Sequence, residues 1–396
     1  MGMLRLNYQY RIYPDAEQAI TLCDWLETSR RVYNYALRQI KDWSNSRKCP
    51  IDRCSIVSEY VIPPDEPYPS EYKQNAELAK AKKTNPRLKA VPAQNLQCTI
   101  KQLHKGFDFM RERGFGYPRF KKPGKLRSTL FPQFKTSPLD AQNNVIKLPK
   151  LGKVTINLHR PIPDGFKIKN VRVIKKADHW YCNICIQCDV NVPSVGFHGH
   201  AIGVDLGLDY LVATSDSLQV KRPRFKVKAE RKLKLLQRRL NRKQKGSANY
   251  RKAQLKVARL HRTVAAQRRD HHYKLAHQLL AECDSIFFED IDFRTMAKGM
   301  LGKHTLDAGL GELRQITKTV ALKLGKFFDT VDHRGTSQEC PDCGVTVKKT
   351  LADRIHRCDN CCSVKPRDVA SAQVICNRGI AKHQTLPVEH RELETA

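Results

Sequence analysis

Two short motifs near the C-terminal end, Cys340-Pro-Asp-Cys343 and Cys358-Asp-Asn-Cys361, restrict this chain more than any other feature. Fourteen residues separate them. At that distance two knuckles present four thiolates from two hairpin tips, the tetrahedral arrangement that zinc takes. With cysteine at all four positions no coordination site stays open, so the expected ion is one structural Zn²⁺ at Cys340, Cys343, Cys358 and Cys361. A third set, Cys182, Cys185 and Cys188, imitates metal spacing but falls in a strand pattern. There Cys182 and Cys188 share the face of Trp180 and Ile184 while Cys185 points the other way, so the three cannot close on one ion.

Fourteen cysteines used in this way suggest a reducing compartment rather than a disulfide framework. The 396 residues allow two or three domains. Lys and Arg number 72 against 39 Asp and Glu, a net charge of +33. Such an excess repels itself in the folded state and implies a polyanionic partner. No run approaches the roughly 18 apolar residues of a membrane helix, and the first residues lack a signal-peptide core. Nucleic acid is therefore the expected partner, no membrane is expected, and the cytoplasm is the expected location.

Residues 4–12 alternate as a strand, and Asp15 with Gln18 forms a capping box ahead of a helix carrying Leu22, Leu26, Val32 or Tyr33, Ala36 or Leu37, and Ile40. Residues 46–75 read as an inserted loop; helical pattern returns from about Ala76, breaks at Pro86 and resumes from Ala93 to about Met110. Gly116–Gly124 then interleaves Tyr117 and Phe120 with Arg119, Lys121 and Lys122. Aromatic and basic groups together suit base stacking and phosphate pairing; a basic loop with Phe120 in the core is the competing reading. Strands follow at 145–148, 154–158, 168–175 and 180–190.

Ala201–Ser215 reads as a buried strand, a tight turn and a second strand, with Asp205 between Gly203 and Gly207. A carboxylate inside an apolar strand is costly unless paired or holding a cation. The flanking glycines read as clearing space for a metal or a nucleic-acid backbone. Between Lys221 and Asp270 stand 20 Lys and Arg and two acids, Glu230 and Asp270. A thin leucine stripe interrupted at Lys245–Asn249 makes this a helical hairpin with a broad basic surface, and Arg238, Arg239, Arg242, Lys243 and Lys245 are its candidate phosphate contacts. Ser285–Ile291 is a second apolar strand ending in carboxylates, with Glu289 among them. A helix over Leu310 to about Phe328 and a strand at Phe327–Val331 follow. Asp368 opens a last helix, where taken alone it reads as a helix-terminal charge. Hard divalent cations want oxygen ligands, and two about 4 Å apart can clamp the attacking and leaving oxygens of a phosphodiester. Spacing alone does not bring Asp205, Glu289 and Asp368 together.

Gly203-Val-Asp205-Leu-Gly, Phe288-Glu289-Asp-Ile, Thr336-Ser-Gln before the first knuckle, and Arg367-Asp368 before Ser371-Ala resemble the TnpB (OrfB) proteins of insertion sequences. The likeness covers residues 201–376, and the basic hairpin and Gly116–Lys122 share it. It implies a multi-domain α/β chain. A wedge β-barrel would occupy 1–12 and 116–196 and carry a helical recognition domain at 13–115. An RNase H-like RuvC nuclease domain would span 197–335 and 365–382, with the hairpin at about 222–282. The zinc ribbon would lie at 336–364 and a tail at 383–396. It further implies an RNA-guided, metal-dependent DNA endonuclease with Asp205, Glu289 and Asp368 as catalytic ligands of two Mg²⁺. Its partners would be a guide RNA from its own element and a double-stranded target carrying a short adjacent motif, in a prokaryotic cell's nucleoid. The pattern departs in three places: Cys362 stands where the family has Gly, leaving Cys361 or Cys362 as the fourth ligand, Pro366 replaces an acid, and Tyr273 a histidine. Two other readings stay open: a guide-dependent DNA-binding regulator without cleavage, and an RNA-independent RuvC-type endonuclease or transposase-associated protein.

Overall fold

The computed structural model describes residues 3–48, 62–114, 116–134, 136–191, 195–350 and 353–384. Most of the expected tail, and the centre of the expected inserted loop, lie outside the described residues. The chain forms two compact units, Met1–Val192 and Pro193–Ala396.

In the first unit the alternating opening residues form β1 (Met3–Tyr13), and the capping box starts α1 (Ala16–Lys48). The Gln18 N–H donates to Asp15 Oδ1 at 2.7 Å, and the Asp15 N–H donates to Gln18 Oε1 at 3.2 Å. Leu22, Leu26, Tyr33, Ala36, Leu37 and Ile40 make its buried stripe. The next helix, α2 (Glu71–Thr84), begins about five residues ahead of the expected Ala76. Its first turn is polar and hides the period, but the Ser70 hydroxyl accepts from the Lys73 N–H and fixes the start. Asn85 serves two helices at once. Its N–H closes α2 on the Ala81 carbonyl at 3.0 Å, and its Oδ1 accepts from Arg87 at 3.0 Å to open α3 (Pro86–Ala90). α4 (Ala93–Arg113) completes the helices.

Six further strands join β1 in one antiparallel sheet: β2 (Ser128–Phe131), β3 (Leu139–Asp140), β4 (Val145–Leu148), β5 (Gly152–Asn157), β6 (Lys167–Lys176) and β7 (His179–Asn191), in the order β2-β6-β7-β1-β5-β4-β3. Phe131 of β2 and Ile146 and Leu148 of β4, from opposite ends of this order, enter one core with Trp25, so the sheet is rolled about that core. Cys182 is fully buried there, and burial pushes its thiol up to about 12. It packs rather than ligates.

The second unit holds a mixed sheet: β8 (Ala201–Asp205), β9 (Tyr210–Thr214), β10 (Gln219–Lys221), β11 (Ser285–Glu289) and β12 (Phe327–Val331), in the order β10-β9-β8-β11-β12. β8, β9 and β10 are antiparallel neighbours, while β8, β11 and β12 run parallel. Inserted after β10 are α5 (Phe225–Asn241) and α6 (Ala248–Ala281), the basic hairpin. No residue of α5 is buried, whereas the end of α6 buries His272, Leu275, Ala276, Leu279 and Leu280 in the unit's core. Two short helices that the sequence pattern does not announce, α7 (Phe293–Met296) and α8 (Gly302–Ala308), precede α9 (Leu310–Leu324). β13 (Ile355–Arg357) and β14 (Val364–Pro366) form a hairpin, and α10 (Arg367–Gln384) closes the unit against β8.

That last contact corrects the expectation for Gly203 and Gly207. A Cβ on Gly203 would collide with the Ala372 carbonyl and the Cys376 backbone nitrogen of α10, and one on Gly207 would press on the Tyr210 carbonyl. Backbone packing, not room for a metal, demands these two glycines. Among the described residues no helix is long and apolar enough to cross a membrane.

Candidate active site and metal cluster

Asp205 ends β8 and Glu289 ends β11, its parallel neighbour. The register pairs Phe288 with Val204, so the two acids leave the sheet side by side. Asp368 sits in the first turn of α10, the helix laid on β8. All three line one cleft of about 730 Å³ at the carboxyl ends of the parallel strands, where open α/β sheets place ligands. The convergence that spacing leaves open is therefore present.

Each of the three acids is held above its ordinary range. Burial pushes Asp205 well up, and the charges of Glu289 and Asp368 push it further, against Arg367 and the Leu206 N–H. Glu289 is buried, which raises it, while a hydrogen bond donated by the Thr336 hydroxyl and the charges of His333 and Arg378 oppose. Asp368 is raised by burial against Arg354 and Arg367. Desolvated carboxylates that repel one another are a hard-oxygen donor set, and a cation among them would reverse the penalty. Arg222, Arg224, Arg354 and Arg367 line the same cleft. Arg354 pairs with Asp209 at 2.5 Å, which brings that second acid of the β8–β9 turn to the cleft as well. Sequence reasoning missed Arg222, Arg224 and Arg354, together with His304 and His333, and quoted Arg367 only as part of the Arg367-Asp368 motif. For Thr336 a signal existed, since it opens the Thr-Ser-Gln run before the first knuckle.

The four cysteines come together from two turns. The Cys340 N–H donates to the Val345 carbonyl at 2.9 Å in the first, and the Cys358 N–H to the Ser363 carbonyl at 3.0 Å in the second. One sulfur from each of Cys340, Cys343, Cys358 and Cys361 lies within 4.8 Å of the others. Sγ of Cys340 is 3.5 Å from that of Cys361, and Cys343 is 3.5 Å from Cys358. The Val345 N–H and the Asn360 side chain hold the Cys343 thiol below its usual range, toward the thiolate a metal needs. Cys362 is outside the cluster, exposed, with φ of 57°. Of the two alternatives, Cys361 meets the other sulfurs. Cys182, Cys185 and Cys188 form no such group.

The candidate nucleic-acid residues lie in both units. In the first, Tyr117, Arg119, Phe120 and Lys122 are exposed, and Lys41 lies over the Tyr117 and Phe120 rings at 5.5 and 4.6 Å. Phe120 is thus a surface ring, not a core one. Lys121 turns inward, its Nζ 4.1 Å from the Tyr33 ring centroid and its backbone bonded to Asn34. In the second unit Arg238, Arg239, Arg242, Lys243 and Lys245 are all exposed at the hairpin's tip.

A family model described as "Probable transposase" (OrfB) matches residues 185–300, and one for a Cas12f1-like TNB domain matches 311–375. A third, a helix-turn-helix model, matches 1–49, yet the described part of that stretch is one strand and one continuous helix. InsQ of Escherichia coli (strain K12), named as a candidate RNA-guided DNA endonuclease, is 31% identical over 312 residues, 74% of this chain and 76% of that protein. A Streptomyces pristinaespiralis protein so named is 29% identical over 387 residues, 96% of this chain and 91% of its own length. Among solved structures, Cas12f1 in complex with sgRNA and target DNA shares the fold at TM-score 0.53 with 11% identity, over 95% of this chain and 99% of that one.

Proposed function

This chain belongs to the OrfB (TnpB) family of insertion-sequence proteins, and on that premise we propose that it is an RNA-guided DNA endonuclease that hydrolyses phosphodiesters in a RuvC-type cleft. The observation that carries the reading is the meeting of Asp205, Glu289 and Asp368 beside four arginines in one cleft. Carboxylates alone would repel a DNA strand, and arginines alone would bind it without cutting. Together they suit a phosphodiester brought to oxygen-bound cations.

Asp205, Glu289 and Asp368 would hold two Mg²⁺. When bound, those ions supply an activated water and stabilise the leaving oxygen. The protein's own part is to fix the ligands. Thr336 orients Glu289, the first turn of α10 sets Asp368, and partial burial makes the carboxylates costly to leave without a cation. The cysteine cluster would hold one structural Zn²⁺ in the ribbon, and the chain runs from its second turn through β14 directly into α10, whose first turn carries Asp368. Exposed bases on α5 and the hairpin tip would carry the guide RNA, with its pairing reading the target and the protein a short adjacent motif.

Asp205→Ala is the decisive variant. Cleavage of guide-matched DNA should fall by several orders of magnitude, as it should in Glu289→Ala and Asp368→Ala, with little further loss in combination because the three act as a unit. Guide and target binding should survive, and chelation should copy the effect in wild type. Equal cleavage by Asp205→Ala would remove the site assignment. A wild type that binds guide and target but never cuts would favour the regulator, and cutting without guide would favour the RNA-independent nuclease.

A further inference from the structure

Arg224 breaks two local rules. It is the N-cap residue of α5, a position for Ser, Thr, Asn or Asp, and its side chain makes no capping bond. It also adopts the left-handed conformation, φ 52° and ψ 45°, which is strained for a residue that carries a side chain. The missing cap comes from elsewhere. Asp307, buried at the end of α8, accepts from the Lys226 N–H at 2.8 Å and the Val227 N–H at 3.4 Å. A strained backbone held by a carboxylate from another element has a product, and here it is the direction of Arg224. Its side chain is exposed, lines the cleft of Asp205, and has no hydrogen bond or ion pair among the described residues. Arg222, two residues earlier, lines the cleft too. It is half-buried and docked on His304, with Nη1 donating to the carbonyl at 3.0 Å, while its Nε is buried without a partner. With that Nε closed to a ligand and Nη2 3.4 Å from His304 Nδ1, Arg222 stands beside Arg224 as a fixed positive charge on the cleft wall.

We propose that Arg224 grips a phosphate of the bound strand next to the one that is cut, with the fixed charge of Arg222 beside it and the Asp307 cap holding Arg224 in its left-handed turn. Arginine's planar donors suit a phosphate oxygen pair. The inference rests on the nuclease reading for which phosphate is cut, but the grip itself is a binding property. Both residues are positioning residues, acting on the strand rather than on the reacting atoms.

Arg224→Gly removes the charge and fits the same backbone, and Arg224→Asn is the second variant, since Asn tolerates that conformation and can cap. Both should melt at or above the wild-type temperature. In chelator, the full guide-loaded protein is titrated with a short single-stranded DNA. Each variant should lower the slope of log affinity against log salt by about 1. With Mg²⁺ present, guide-matched DNA carrying one uncharged methylphosphonate beside the cut is cleaved in single turnover. One position should slow wild type about tenfold, the scale of a charged hydrogen bond, and slow Arg224→Gly no further. An unchanged salt slope in either variant, or multiplicative losses from methylphosphonate and variant, overturns the grip. Wild type that fails to cut unmodified DNA while the slope still drops would count against the nuclease reading and leave the grip standing.

Discussion

Asp205 shows how much of a site can rest on one side chain. Its carboxyl is raised by burial and by Glu289 and Asp368, so the folded protein holds its proton to higher pH than the unfolded chain does. Protons bound in the folded state then exceed those in the unfolded state, and stability falls as pH rises through that range. In chelator, Asp205→Asn should therefore melt higher than wild type at neutral pH, and the gain should vanish in acid, where Asp205 is protonated anyway. Added Mg²⁺ should raise the wild-type melting temperature and not that of the variant. Thermal melts across pH decide this; identical curves for the two proteins would mean that Asp205 feels no such field. The residue scale also shows where sequence reading stops. The cost of an acid in an apolar strand is visible in Val204-Asp205-Leu206, because alternation is local. The reason for Gly203 is not visible, because the atoms it would meet belong to α10, about 170 residues away.

Elements were legible to the extent that their signals were short-range. Asp15 and Gln18 name the start of α1, and two knuckles name two turns. The start of α2 is hidden in the sequence because its first turn carries no apolar period, and α7 and α8, at four and seven residues, are too short to show one. The strand order β10-β9-β8-β11-β12 follows from pairing across the basic hairpin, which no local pattern encodes. At this scale the ribbon is the element to test. Cys343→Ser and Cys361→Ser should each lower metal content well below one zinc per chain and weaken cleavage, since ribbon folding is coupled to the metal and Asp368 follows directly from β14. Cys362→Gly should keep the metal and gain about 1 kcal/mol of stability, because only glycine is unstrained at φ of 57°. Cys182→Ser should leave zinc unchanged. Elemental analysis of the purified proteins reads all four, and zinc loss in Cys362→Gly with retention in Cys361→Ser would reverse the ligand choice.

Across the whole molecule the +33 charge sets the terms of binding. Reversing Arg238, Arg239, Arg242, Lys243 and Lys245 together should cut guide affinity and flatten its salt dependence, since fewer counterions are released. A filter-binding series at several salt concentrations measures both, and an unchanged slope would move the guide to another surface. The helix behind that surface has two ends of unequal fate. α6 is one continuous rod of 34 residues, anchored by His272 to Leu280 in a packed core, while its first half buries no residue and runs beside α5, which buries none either. Opening free energy should thus rise along a single helix, from the tip to the root. Trypsin cuts after lysine and arginine, and the loose end is made of them. A chain left without a polyanion to cover the tip should be nicked first between about residues 231 and 262, and one that has found its nucleic acid should not. Its lifetime in a cell would then be set by whether it is carrying anything.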